Sequence, residues 1–409
     1  MAQIFQNRRI LLGVTGSIAA YKAVEIASKL SQEGALVDVL LSPSAEKFIS
    51  PLTFQSVTGR RCYRDADLWG SEGHVLHIGL ARNADMLVIA PATANTIVKL
   101  AQGLADNLLC LTALAAQCPL ILAPAMDAGM FSHPAVQSSL ERLCQRGATS
   151  IGPAEGHLAS GLTGIGRMAE PAEVIGQIRL SLGEDGLLKS RKIVVTAGGT
   201  LEPIDPVRFI ANRSSGKQGF ALAQAALDRG AQVTLISAPS HLPTPFGAKR
   251  VNVEAAAEML THVLKESENA DVLIMAAAVA DFTPEISAPQ KIKRDEGIPC
   301  LSLKPTADIL QEVSRLKSKT GHPYITVGFA AESQDLLTNA KKKLSAKNLD
   351  LIIANDITAP DSGFAVDTNR VTILDAGGGV ENLPTMSKAD VAAHVLERVI
   401  GLLTGDRQF

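Results

Sequence analysis

Arg9-Ile10-Leu11-Leu12-Gly13-Val14-Thr15-Gly16-Ser17-Ile18-Ala19-Ala20-Tyr21-Lys22 opens the first half of the chain, and Lys192-Ile193-Val194-Val195-Thr196-Ala197-Gly198-Gly199-Thr200 opens the second. Each is a short apolar run that stops at a glycine-rich turn. Outward from these, apolar runs at 36–41, 86–90 and 120–123 alternate with helical stretches such as 18–32 and 107–116. In the second half the runs fall at 232–237, 271–276, 324–328 and 351–354. Gly34 and Gly230 stand where a helix ends in a left-handed cap. Strands alternating with helices of 10–15 residues mean βαβ units and a parallel sheet. The expected fold class is α/β, two tandem Rossmann-like domains. The pattern breaks at Gly183-Glu184-Asp185-Gly186, which places the domains at 1–188 and 189–409.

Composition agrees and narrows the function. The 409 residues suit two cores of about 200 residues each. Aromatics make up only 4%, so Ala, Val, Leu and Ile must fill the cores, as in strands buried on both faces. A net charge of −2 argues against a nucleic-acid partner held by a general basic field. The longest apolar stretch, 272–280, is about half of a membrane span. Too few apolar residues follow Arg8-Arg9 for a secretory signal. The five cysteines are scattered and never spaced C-x-x-C, which fits neither a disulfide framework nor a zinc site. A reducing cytoplasm and small-molecule substrates are the expectation, with no nucleic acid and no membrane.

The first turn has the spacing G-x-x-G-S rather than G-x-G-x-x-G, which disfavours NAD and suits the phosphate of a mononucleotide at a helix N-terminus. Pro91-Ala92-Thr93-Ala94-Asn95-Thr96 and Pro124-Ala125-Met126-Asp127-Ala128-Gly129-Met130 each follow a strand, at the edge where ligands of such sheets bind. His77-Ile78-Gly79-Leu80 lies upstream. Together these motifs resemble the flavin-dependent cysteine decarboxylase family, from about residue 8 to 170. Its members bind FMN and decarboxylate 4′-phosphopantothenoylcysteine. The resemblance implies that Gly16 and Ser17, with Ser42 nearby, hold the flavin phosphate. It places Thr93 and Asn95 by the flavin and makes His77 the catalytic base, a residue type poised near neutral pH.

Two positions depart from the family pattern. Asp127 stands where the family has Asn, and Ser160, in Leu158-Ala159-Ser160-Gly161, where it has Cys. An ionised Asp127 would repel the substrate carboxylate unless protonated or turned away. A serine hydroxyl is a far weaker acid than a thiol of pKa about 8.5. Either another donor completes the reaction or the first domain is catalytically altered.

In the second half, Asn212-Arg213-Ser214-Ser215-Gly216-Lys217-Gln218-Gly219 only superficially suggests a P-loop. The earlier glycine is Ala211, and Gln218 replaces the magnesium-binding hydroxyl. What remains is a phosphate-suited loop expected to open a helix at Gly219. Asp281, Lys291, Ala307-Asp308-Ile309, Phe329, Lys343 and Lys347 follow, the last two one helical turn apart. A solvated face is the commoner meaning of such a basic run, and a grip on a triphosphate the alternative. From about 190 to 400 this half resembles phosphopantothenate–cysteine ligase, and the order of the halves matches the fused bacterial enzyme. The resemblance implies CTP and Mg²⁺, with metal ligands unassigned. Asn212 would hold the acyl-cytidylate and Lys291 would act in catalysis. Ala277, Asp281, Lys291, Ala307, Asp308, Ile309, Phe329, Lys343 and Lys347 would form the nucleotide site. A homo-oligomer is expected. A tandem-Rossmann NAD-dependent or nucleotide-sugar oxidoreductase is the remaining alternative, but the chain lacks G-x-G-x-x-G and a Tyr-x-x-x-Lys dyad.

Overall fold

The structure, a computed structural model, describes residues 3–69, 75–293, 300–332, 335–356 and 366–405. Two compact units divide it, 3–182 and 183 onward. The first is a parallel sheet in the order Cys62–Arg64, Leu36–Leu41, Arg9–Val14, Met86–Ala92, Leu120–Pro124, Thr149–Ser150. Every residue of Met86–Ala92 is buried, as a central strand covered on both faces must be. That strand runs two residues past the expected 86–90 because Ala92 pairs with Pro124 beyond a register shift. From the central pair, Arg9–Val14 and Met86–Ala92, the chain winds outward in both directions. Such a reversal opens a crevice at the carboxyl ends of the two strands.

The second unit repeats the device. Its sheet runs Lys249–Asn252, Gln232–Ser237, Lys192–Ala197, Val272–Met275, Ile325–Glu332, Leu351–Asp356, Val371–Asp375, Val380–Asn382, the last two antiparallel. The order reverses between Lys192–Ala197 and Val272–Met275. Ile325–Glu332 extends four residues beyond the expected end at Gly328, since the ladder to Leu351–Asp356 continues through it. The helix expected to open at Gly219 begins instead at Lys217, launched by Gly216 with φ of +76°. Gly219 then lies against the strand: a Cβ there would come 2.5 Å from the Ala197 Cβ. Glycine is what lets helix Lys217–Leu227 approach its sheet this closely.

Residues 183–188 pack with the second unit. A Cβ on Gly186 would sit 2.3 Å from the Arg229 carbonyl oxygen, the Leu188 N–H donates to that oxygen (2.9 Å), and the Leu188 side chain is wholly buried. Among the described residues no helix is long and apolar enough to cross a membrane.

Candidate active sites

In the first unit the crevice is pinned by a residue to which the sequence reading gave no role. Thr15, 1% exposed, directly follows the first strand. Its hydroxyl donates to the Pro91 carbonyl (2.6 Å) and accepts from the Thr93 N–H (3.0 Å). This locks the turn after one central strand to the turn after the other. Gly16 passes so close to the 42–44 turn that a Cβ would meet the Ser44 Cβ at 2.4 Å. The Ser17 hydroxyl accepts from the Ala19 N–H (3.2 Å) and the Ser42 hydroxyl from the Ala45 N–H (3.3 Å). Thr93 and Thr96 share a hydrogen bond of 3.1 Å. Gly16, Ser17, Ser42, Thr93, Asn95, Asp127 and Ser160 all line one cavity of about 830 Å³. Hydroxyls and backbone N–H groups gathered beside helix Ala20–Gln32 fit a phosphate.

Ser160 reaches this cavity through the hairpin of Ala154–His157 and Thr163–Arg167. Gly166 lets that hairpin close on the turn after Leu120–Pro124: the Met126 N–H donates to the Gly166 carbonyl (3.0 Å), and a Cβ on Gly166 would stand 2.1 Å from the Met126 oxygen. The Ser160 hydroxyl then donates to Asp127 Oδ2 at 2.7 Å. Asp127 Oδ1 accepts from the Gly129 N–H at 2.9 Å, capping Ala128–Phe131. The Ser160 hydroxyl foremost, then the Gly129 N–H, hold the Asp127 carboxyl below its usual range, so it is ionised at neutral pH. Lys22, quoted in the opening motif but given no role, is buried, donates to the Met168 carbonyl (3.0 Å) and pairs with Glu170 (3.0 Å). His77 stands apart. It sits on helix Leu76–Asn83, is not among the residues lining this cavity, and its buried Nδ1 has no hydrogen-bond partner among the described residues.

The second unit pins its crevice in the same way. The Thr196 hydroxyl accepts from the Ala277 N–H (3.1 Å) and the Thr200 hydroxyl from the Ala280 N–H (2.9 Å). Asn212 Nδ2 donates to the carbonyls of Val279 (3.1 Å) and Ala278 (3.4 Å), so its amide is fixed at the rim. Thr306 ties the next segment in, donating from its hydroxyl to the Ala280 carbonyl (2.7 Å). The result is a cavity of about 590 Å³ lined by Asn212, Ala277, Asp281, Ala307, Asp308, Ile309, Phe329, Lys343 and Lys347. Asp308 has two tasks. Oδ1 accepts from the Gln311 N–H (3.2 Å) and caps helix Ile309–Thr320, while Oδ2 pairs with Lys347. Burial pulls the Lys347 ammonium below its usual range, and the charge of Asp281 opposes that.

Lys291 is exposed and is not one of the lining residues. Three other lining residues have no site role predicted from the sequence: Asn355, Asn369 and Lys388, each 9% exposed or less. The Oδ1 atoms of Asn355 and Asn369 are buried, with no hydrogen-bond partner among the described residues. Asn355 and Asn369 lie in the half that resembles the ligase but in no motif with an assigned role, and Lys388 has no motif around it.

Comparison with known proteins agrees with the two-part layout. A family model described as Flavoprotein matches residues 3–183. Another, described as DNA/pantothenate metabolism flavoprotein C-terminal domain, matches 188–402. The coenzyme A biosynthesis bifunctional protein CoaBC of Bacillus subtilis (strain 168) is 46% identical, covering 99% of this chain and 100% of the relative. That of Vibrio cholerae serotype O1 (strain ATCC 39315 / El Tor Inaba N16961) is 41% identical, covering 97% and 99%. A protein from an unknown prokaryotic organism named cysteine/cysteine sulfinic acid decarboxylase is 44% identical, covering 80% of this chain and 92% of its own. With both units matched, and relatives alike from end to end, the chain belongs to the CoaBC family of bifunctional coenzyme A biosynthesis enzymes.

Proposed function

We propose that the second unit joins cysteine to 4′-phosphopantothenate at the expense of CTP and Mg²⁺, and that the first unit decarboxylates the product, 4′-phosphopantothenoylcysteine, to 4′-phosphopantetheine with FMN. The observation that carries the reading is the second cavity. It brings residues spread from 212 to 388 to one switch point, with Lys217, Lys343, Lys347 and Lys388 lining it beside Asp281 and Asp308. The 4′-phosphopantothenate carboxylate attacks the nucleotide α-phosphate and pyrophosphate leaves. The amine of cysteine then attacks the acyl-cytidylate and CMP leaves. Lys343 and Lys347 neutralise charge building on the pyrophosphate. Asn212, its amide fixed by Val279 and Ala278, holds the acyl-cytidylate at the rim. The unpartnered Asn355 and Asn369 oxygens leave acceptors for a bound donor. Among the described residues no group of three His, Cys, Asp or Glu stands together to hold a metal, and Mg²⁺ enters this reading with the nucleotide phosphates.

The first cavity fits FMN through its Ser17, Ser42 and Thr93 hydroxyls and the close turn at Gly16. Bound there, FMN supplies the oxidation of the thiol end that lets CO₂ leave. Asp127 has both oxygens engaged and is held ionised, so this reading has it turned from the substrate carboxylate rather than protonated against it. His77 lies outside the cavity that one chain forms, which supports a homo-oligomer in which another copy brings it to the flavin. Free cysteines at all five positions suit a reducing cytoplasm.

The Ser160–Asp127 hydrogen bond favours a second reading of the first unit, an altered decarboxylase. A serine whose proton is committed to a carboxylate is a poor donor to the last intermediate. The test of the main reading uses the full chain with 4′-phosphopantothenate, cysteine, Mg²⁺ and each nucleoside triphosphate in turn. CTP-dependent formation of 4′-phosphopantothenoylcysteine and CMP, by mass spectrometry, is expected. No ligation with any nucleotide refutes it.

A further inference from the structure

Asp205 lies between strands Leu201–Pro203 and Phe209–Ala211, which pair antiparallel, and its side chain is fully buried. Oδ1 accepts from the N–H groups of Val207 and Arg208, both at 2.8 Å. Oδ2 accepts from Arg208 Nε (2.9 Å) and from the Ile292 N–H (3.2 Å). Arg208 Nη2 continues to the Ile292 carbonyl at 2.5 Å. The backbone of Ile292 is therefore held at both its N–H and its C=O, and the next residue back is Lys291. A further bond, from the Ala288 N–H to the Ile204 carbonyl (2.8 Å), fixes the start of the same segment. The hairpin so engaged runs directly into Asn212 on the cavity rim.

A turn alone does not need this carboxylate. An asparagine at 205 would accept the Val207 and Arg208 N–H groups equally well through its oxygen. Its NH₂ could not accept from Arg208 Nε or Ile292. The second oxygen is what binds a segment 87 residues away in sequence. Burial alone would raise the Asp205 carboxyl, and the N–H donors of Val207, Arg208 and Ile292 with the Arg208 guanidinium outweigh it, holding it at about 2. The carboxylate is thus charged throughout the working range.

We propose that Asp205 is a positioning residue of the ligase reaction, clamping the Lys291-bearing segment to the Asn212 hairpin so that Lys291 meets the substrate in a fixed place. This rests on the ligase reading above and on Lys291 acting within it. The clamp is made of backbone bonds, so it sets where the lysine starts from and leaves its side chain free to reach.

The experiment uses the full chain. Asp205→Asn is expected to lower ligase kcat by about tenfold or more, the scale of losing a charge-assisted hydrogen bond, while KM for the nucleotide changes little. Amide exchange should speed up at 204–211 and 288–293 and stay as in the wild type elsewhere in the second unit. In a Lys291→Ala background, Asp205→Asn should cost nothing more, because there is no lysine left to place. Ile292→Pro removes one donor and leaves Asp205 its other bonds. It should reproduce the loss in kcat, and it decides the matter if Asp205→Asn does not fold. Full multiplicative losses in the double variant, or faster exchange throughout the unit, overturn the positioning role. A wild-type chain that makes no product overturns the ligase reading beneath it, and the two failures are told apart.

Discussion

Thr15→Val replaces a hydroxyl with a methyl of nearly the same size, so it removes hydrogen bonding and leaves packing almost unchanged. Two groups lose their partner: the Pro91 carbonyl, to which Thr15 donates at 2.6 Å, and the Thr93 N–H, from which it accepts at 3.0 Å. An unsatisfied buried polar group costs about 1–3 kcal/mol. The Thr93 group is half-buried and belongs at the lower end, which gives about 2–4 kcal/mol for the pair. With a urea dependence of about 2 kcal/mol per molar, the middle of the usual range, the unfolding midpoint of the first unit should fall by about 1–2 M. The same loosening moves Thr93 away from the Gly16–Ser17 turn. If about 1.4 kcal/mol of it is felt in the bound state, FMN affinity falls about tenfold. Urea titration read by far-UV circular dichroism and FMN titration by flavin fluorescence make the two measurements. Thr15→Ser keeps the oxygen and should recover most of both losses. A Thr15→Val chain with unchanged midpoint and FMN affinity would show that the threonine does not lock the two turns, and the crevice would need another explanation.

Thr196→Val should act likewise on the second unit, weakening nucleotide binding through the Ala277 N–H that Thr196 accepts; an unchanged KM for CTP contradicts it. A fragment beginning at 183 should fold and ligate, whereas one beginning at 189 should be less stable by about 1.5–3 kcal/mol, the worth of burying Leu188; equal thermal midpoints would mean that 183–188 are dispensable. Lys347→Ala should raise KM for the nucleotide about tenfold or more and leave Asp308 still capping Ile309–Thr320; steady-state kinetics with varied CTP checks it. Ser160→Cys should speed the last step of decarboxylation if that step limits the wild type. An enethiol two mass units below 4′-phosphopantetheine should accumulate in the wild type if Ser160 withholds its proton, whereas complete conversion by mass analysis would favour another donor.

What the chain could tell by itself was local. Apolar runs ending in glycine turns, at 9–14 and 192–197, determine that two sheets with parallel central strands form, because a strand buried on both faces must be apolar throughout. The motifs at Gly16, Thr93 and Asp127 also lie where strands end, and in a sheet of this kind the strand ends are where ligands sit. Sequence distance hides the rest. Thr15 reads as an ordinary residue of a turn until Pro91 and Thr93, 76 and 78 residues on, are folded against it. Ser160 and Asp127 each look like a lone departure from a pattern, and only the hairpin closing at Gly166 makes them one hydrogen-bonded pair. His77 sits in one of the motifs of the first unit, yet it is not among the residues that line the cavity of its own chain. Asp205 belongs to the same class. Its buried oxygen can find Ile292 only after the second unit has folded, since a hydrogen bond needs a partner in space and the sequence records only order.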